Sequence, residues 1–143
     1  MDVNGSYTFA APPDAVWKML TDPVVIAGCL PGCDRLEPIG EDQYRAAMTL
    51  AVAAVTGKYT GTVSMHDKNP PHSYRLIVEG SGTPGFVKGE ATIELVADGA
   101  GTTVRVKGQG NVGGVIARVG QRLLGSVSKM MMDRFFACLQ NRL

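Results

Sequence analysis

Cysteine, histidine and tryptophan are scarce, at three, two and one of the 143 residues. Cys29, Cys33 and Cys138 cannot all pair within one chain. No second cysteine pair or histidine pair accompanies Cys29 and Cys33 at zinc spacing, so no metal site is read and three ordinary thiols are expected. His66 falls late on a strand and His72 in a turn after Pro70-Pro71, with no nucleophile beside either, which leaves no catalytic dyad. Asp2 and Asn4 stand where a secretory leader would be basic and then apolar, so a reduced, cytoplasmic setting is expected. No apolar run approaches the roughly 20 residues that span a bilayer. Residues 50–55 form the longest, and that is strand length. Charge is also sparse: 19% of residues, 14 basic against 13 acidic, net +1. That balance excludes a global electrostatic footprint for nucleic acid. With 45% apolar residues the chain is not disordered either, and its length suits one domain over 1–143.

What is abundant is alternation and glycine, 18 residues of it. Residues 3–11 read as a strand closed by Pro12-Pro13. A helix follows with Val16, Trp17 and Leu20 as its apolar stripe. Asp22 and Pro23 suit the N-cap and first turn of a second short helix, stopped by Pro31-Gly32. Strands are expected at 33–39, 43–55, 58–68, 73–82, 86–97 and 102–112, and a long helix at 114–140. The intervening turns are too short for parallel crossovers, so the sheet is antiparallel. This order predicts an α+β, helix-grip fold: a seven-stranded curved antiparallel sheet, two short helices, and a long C-terminal helix enclosing a cavity.

Alternation assigns the strand faces. Tyr59, Gly61, Val63 and Met65 oppose Thr60, Thr62, Ser64 and His66. Tyr74, Leu76, Val78, Gly80 and Gly82 oppose Arg75, Glu79 and Ser81. Val104, Val106, Gly108, Gly110 and Val112 oppose Arg105, Lys107 and Gln109. On 86–97, Val87, Gly89, Ala91, Ile93 and Leu95 read as inner, turning Phe86 outward or into the turn, with Lys88, Glu90 and Glu94 on the other face. Strand 43–55 is apolar on both faces, with Met48, Leu50 and Val52 against Ala47, Ala51 and Ala53. Inward glycines leave space that Leu or Ile would fill, which suggests a ligand cavity. The alternative is that they only permit curvature and close helix approach. Together with Trp17, Leu20, Ile26 and Leu30 of the short helices, the expected lining is Met48, Leu50, Val52, Tyr59, Val63, Met65, Tyr74, Leu76, Val78, Val106 and Val112. Ile116, Val119, Gly120 and Leu123 of the long helix complete it, with no acid, base or catalytic nucleophile.

Two segments fit G-x-G-x-x-G, from Gly80 to Gly85 and from Gly108 to Gly113. The first joins two strands and the second precedes the last helix, so neither opens a dinucleotide-binding βαβ unit. On that helix Arg118, Arg122 and Lys129 recur on one side, usually no more than a solvated face. Met132, Phe136, Leu139 and Leu143 form an apolar stripe away from Ile116, Val119, Leu123, Val127 and Met130. With those cations, this stripe is the expected interaction surface, meeting a protein in preference to a bilayer.

Several segments resemble the G-subunit family of carbon monoxide dehydrogenase. These are Asp22-Pro23 with Ala27-Gly28-Cys29-Leu30-Pro31-Gly32-Cys33, Gly57-Lys58-Tyr59-Thr60-Gly61, Pro70-Pro71-His72-Ser73-Tyr74, and Gly80-Ser81-Gly82 with Gly85-Phe86-Val87-Lys88-Gly89. Val119-Gly120-Gln121-Arg122-Leu123 and Phe135-Phe136-Ala137-Cys138-Leu139 extend the likeness along nearly the whole chain. The family belongs to the START-like, polyketide-cyclase-like SRPBCC superfamily with a helix-grip fold. The resemblance implies a non-catalytic accessory protein of a molybdenum-containing carbon monoxide dehydrogenase or related hydroxylase. It implies a hydrophobic small molecule, a quinone or lipid, held non-covalently, and assistance to membrane or partner attachment. A homodimer and peripheral contact with the inner membrane face are further expectations, and no nucleic acid is. Many members carry a membrane-seeking tail, whereas this sequence stops at Leu143. Two other readings stand beside it: a cyclase- or hydrolase-type enzyme of the superfamily, and an interaction protein with a filled core.

Overall fold

A computed structural model describes residues 1–52 and 55–143. The chain begins with strand β1 (Asp2–Phe9), then helices α1 (Pro13–Thr21) and α2 (Pro23–Cys29). Six strands follow: β2 (Cys33–Gly40), β3 (Gln43–Leu50), β4 (Gly57–Asn69), β5 (Ser73–Gly82), β6 (Gly85–Asp98) and β7 (Gly101–Gly113). The chain closes with a short 3₁₀ helix (Val115–Val119) and helix α3 (Gln121–Gln140). Strand β3 ends at Leu50, earlier than the alternation suggested, and Ala53 lies outside the described residues.

Local chemistry explains these boundaries. Pro13 opens α1 where a missing N–H costs nothing. The Asp22 carboxylate accepts from the Val24 N–H (2.9 Å), capping α2 directly behind α1. Asp42 (φ +55°) and Gly99 (φ +60°) take left-handed conformations in the tight turns before β3 and β7.

All seven strands form one antiparallel sheet in the order β1-β7-β6-β5-β4-β3-β2. The register places Tyr59 against Gly82, Gly61 against Gly80 and Val63 against Val78, as the alternation required. At Gly61 a Cβ would run into the Glu79 carbonyl, so glycine is what lets β4 lie this close to β5. Strand β2 forms one border and is mostly exposed; its pairing with β3 shifts register between Cys33 and Arg35 and again between Pro38 and Gly40.

The main core joins β1, α1, β6, β7 and α3. Val16, Val104 and Leu139 are wholly enclosed, and Phe9, Leu95 and Phe136 are buried around them. A smaller cluster holds Val55, Tyr59, Ile116 and Leu124, with Leu50, Val52, Val112, Val119 and Val127 packed against it.

Two sequence expectations fail here. The long helix is not continuous over 114–140: Gly120 adopts φ +88° and separates the 3₁₀ helix from α3. Ile116 is fixed independently, its N–H donating to the Pro84 carbonyl (2.8 Å), so its position does not set the rotation of α3. The buried stripe of α3 is therefore Leu124, Phe136 and Leu139, with Met132 and Phe135 beside it, while Leu123 is exposed. The three cysteines are not all thiols either. Cys29 and Cys138 form a disulfide that ties α2 to α3, leaving Cys33 free.

Candidate functional site

Between the concave sheet and the helices lies a partly open cavity of about 380 Å³. Strands β4 and β5 supply Tyr59, Gly61, Val63, Met65, Tyr74, Leu76, Val78 and Gly80. Leu20 comes from α1 and Ile26 from α2; Leu30, which follows α2, also borders the space. Met48 comes from β3 and Val106 from β7. All of these except Gly61 and Gly80 were expected to line it by residue number, and those two were read as inward-facing.

Others sit elsewhere. Trp17 packs against the main core with its ring edge-on to Tyr74, centroids 5.4 Å apart. Leu50, Val52, Val112, Ile116 and Val119 belong to the smaller cluster. Gly120 and Leu123 do not border the cavity, because the helix break turns that segment away. A Cβ at Gly120 would meet nothing within 4 Å.

In their place stand residues that the sequence reading missed. Met131, Met132, Phe135 and Phe136 face the space from α3. They are the inward side of a helix whose rotation had been taken from Ile116. Tyr44 and Ala46 extend the face of Met48 along β3, a parity visible in the sequence, and Leu36 contributes from β2.

The expected interaction stripe is accordingly not a surface. Phe136 is 4% exposed and stacks on Tyr7 with centroids 4.1 Å apart; Leu139 is fully buried and Met132 packs against the core. Only Leu143 of that set is exposed. Arg118 and Arg122 are exposed, and Lys129 pairs with Asp133 at 3.2 Å. The stripe is buried because the C-terminal half of α3 docks on β1 and α2. The disulfide and a hydrogen bond from Gln140 to the Thr8 carbonyl (2.7 Å) hold it there.

The chemistry of the lining is almost wholly apolar. Among the described residues no lysine, arginine, histidine or aspartate borders it. Glu79 does, where no acid was expected, but its carboxylate pairs with Lys88 (3.4 Å), and both residues flank a second hollow of about 410 Å³. Ser81, Phe86 and Val87 edge that hollow, which shares Thr60, Gly61, Thr62, Glu79 and Gly80 with the cavity wall. Phe86 is 52% exposed, the outward one of its two expected placements. Glu90 pairs with Arg75 at 2.8 Å, and His66 bonds Ser64 at 2.9 Å.

Tyr44, Tyr59 and Tyr74, together with Thr60 and Thr62, supply the remaining polarity of the lining. Tyr59 donates to the Val55 carbonyl (2.7 Å), and burial raises its pKa. Tyr7, outside the lining, donates to Asp133 (2.6 Å); burial first, then that bond, pushes its phenol well above the usual range. The same bond, then Lys129, holds the Asp133 carboxyl below the usual range. Tyr74 is buried and its pKa is likewise raised by desolvation. Burial also raises the free Cys33 thiol. Among the described residues no group of three metal-ligating side chains occurs, and no helix is long and apolar enough to cross a membrane.

Residues 5–143 match the family model for CoxG, the G subunit of carbon monoxide dehydrogenase. The chain belongs to this family. A conserved protein from Geobacillus kaustophilus is 38% identical, with a TM-score of 0.96 over 99% of this chain and 94% of that one. A START superfamily protein from Mycobacterium smegmatis, 12% identical, superposes with a TM-score of 0.79 over 99% of this chain and 95% of that one. Mll3558 from Rhizobium loti, 14% identical, gives 0.74 over 100% and 96%. At such low identity the last two show the fold alone, and that fold is the START-like helix grip. No curated protein matches the chain. As a CoxG protein, it is associated by family with carbon monoxide dehydrogenase.

Proposed function

We propose that this CoxG chain is a non-catalytic accessory protein of a molybdenum-containing carbon monoxide dehydrogenase or related hydroxylase, and that it carries a hydrophobic small molecule. The observation supporting this reading most directly is the cavity: about 380 Å³, bordered by four methionines and a row of aliphatic and aromatic side chains. That volume falls at the lower end of ordinary ligand pockets. A quinone or lipid would place its compact part inside, and a long chain would extend outward. An apolar hole of this size is costly to leave empty, which argues against the filled-core interaction protein. The cyclase- or hydrolase-type reading needs a general acid or base within reach of a bound substrate. Glu79, the one carboxylate bordering the cavity among the described residues, is already ion-paired with Lys88.

Native mass spectrometry of the protein purified from its own host tests the reading. A bound neutral mass in the quinone or lipid range, released on denaturation, is the expected result. Protein that carries no such mass and also fails to take up ubiquinone or phospholipid from vesicles would overturn it. The single tryptophan, Trp17, lies against the cavity residue Tyr74, so its fluorescence should report filling in the same titration.

A further inference from the structure

Tyr74 is the odd member of the cavity wall. Its side chain is 4% exposed, and its hydroxyl makes no hydrogen bond among the described residues. Every side-chain nitrogen or oxygen that protein atoms fully enclose there does have a partner. The Tyr74 hydroxyl therefore borders open space. Beside a side chain so deeply buried, that space is the cavity it lines. The contrast with Tyr59 is direct: that phenol lines the same cavity but is tied to the Val55 carbonyl. Tyr44, the third phenol of the lining, is only half-buried.

Packing does not call for a hydroxyl at this position. The ring is held edge-on by Trp17 and flanked by the apolar Ile93 of the adjoining strand, contacts that phenylalanine would make equally well. A buried, unpaired hydroxyl carries a desolvation penalty that a ligand acceptor would relieve. We propose that Tyr74 is the polar anchor of the cavity, donating its O–H to a carbonyl oxygen of a neutral, otherwise apolar ligand and so fixing which end enters. This rests on the small-molecule reading above.

The surroundings narrow the ligand class further. Burial keeps the phenol protonated, hence a donor, through the physiological range. No cationic side chain borders the cavity among the described residues. A ligand carboxylate would be desolvated without a counter-charge, which disfavours fatty-acid anions and favours neutral ketones, esters and quinones.

The test is competition against the neutral fluorescent probe N-phenyl-1-naphthylamine, using 2-undecanone, undecane and undecanoate. Wild type should bind the ketone about tenfold more tightly than the alkane, one good hydrogen bond's worth, with undecanoate weakest. Tyr74→Phe should erase the ketone advantage and leave undecane binding within about twofold of wild type. Tyr59→Phe, whose hydroxyl is already satisfied, should keep the advantage. Equal binding of ketone and alkane to wild type, an unchanged ketone advantage in Tyr74→Phe, or undecanoate binding best would each overturn the anchor while the cavity reading stands. Failure of the probe and all three competitors to bind wild type would overturn both. Should Tyr74→Phe not fold, Tyr44→Phe decides: a ketone advantage that persists there supports Tyr74 as the donor, and one that disappears overturns the anchor.

Discussion

Near its C-terminal end α3 presses Leu139 and Phe136 into the main core, where Leu139 is fully buried. About two turns before Leu139 the same helix presents Met131 to an open cavity. At the closed end the neighbours are branched and aromatic side chains, with the Cys29–Cys138 disulfide beside them. Along the open stretch methionine, glycine and alanine are interspersed among the branched and aromatic residues: Met48, Met131, Gly61, Gly80 and Ala46 stand beside Val63, Leu76 and Val78. Branched and aromatic side chains have few rotamers and interlock into one arrangement. Methionine has several and adapts to what it meets, while glycine and alanine withhold volume. One helix thus serves as a fixed wedge at one end and as an adjustable wall over the cavity.

Removing the disulfide should have the largest effect, because it closes a 109-residue separation. The Cys29→Ser, Cys138→Ser double variant should lose about 5 kcal/mol of stability by the chain-entropy relation. Urea midpoints should coincide for the double variant and for wild type under reductant. Identical midpoints for oxidised wild type and the double variant would show that the bond does not hold the closed end.

A smaller effect tests the contrast itself. Leu139→Ala should cost about 3 kcal/mol, since it opens a void in a closed region. Met131→Ala should cost less than about 1 kcal/mol, because its side chain already faces open space. Equal losses in the two urea titrations would mean that the cavity is filled in solution.

The smallest effects come from two glycines, each with open space where a Cβ would go. Gly120 has φ +88°, so Gly120→Ala should destabilise by about 1 kcal/mol. Gly125 lies within α3, and Gly125→Ala should stabilise by up to about 1 kcal/mol. Opposite shifts in Tm are expected. Stabilisation by both would mean that the helix runs unbroken through Gly120.

That last pair marks where sequence reading reached its limit. The strands were legible because Tyr59 to Met65 and Tyr74 to Gly82 alternate cleanly and the turns between strands are short. The inward faces of β4 and β5 followed directly. The phase of α3 was not legible. An apolar repeat spaced like a helix runs through Gly120, and nothing local shows that Ile116 is held separately by the Pro84 carbonyl. One wrong rotation moved Met131, Met132, Phe135 and Phe136 out of the expected lining, and placed Met132, Phe136 and Leu139 on an imagined surface. The Cys29–Cys138 pairing was hidden for another reason: partners so far apart in sequence meet only through tertiary structure.

The border strand β2 bears on how copies of this chain can meet. Fibres and strand-swapped dimers grow by adding a strand to a straight row of free N–H and C=O groups. Strand β2 offers no such row: its register with β3 slips twice, Pro38 lacks an N–H, and Asp34, Arg35 and Glu37 place mixed charge along it. At the opposite border, Gln140 of α3 already engages the Thr8 carbonyl of β1. The β2 border is thereby ill-suited to templating aggregation, and a second copy meeting that border has to dock through side chains instead of extending the sheet.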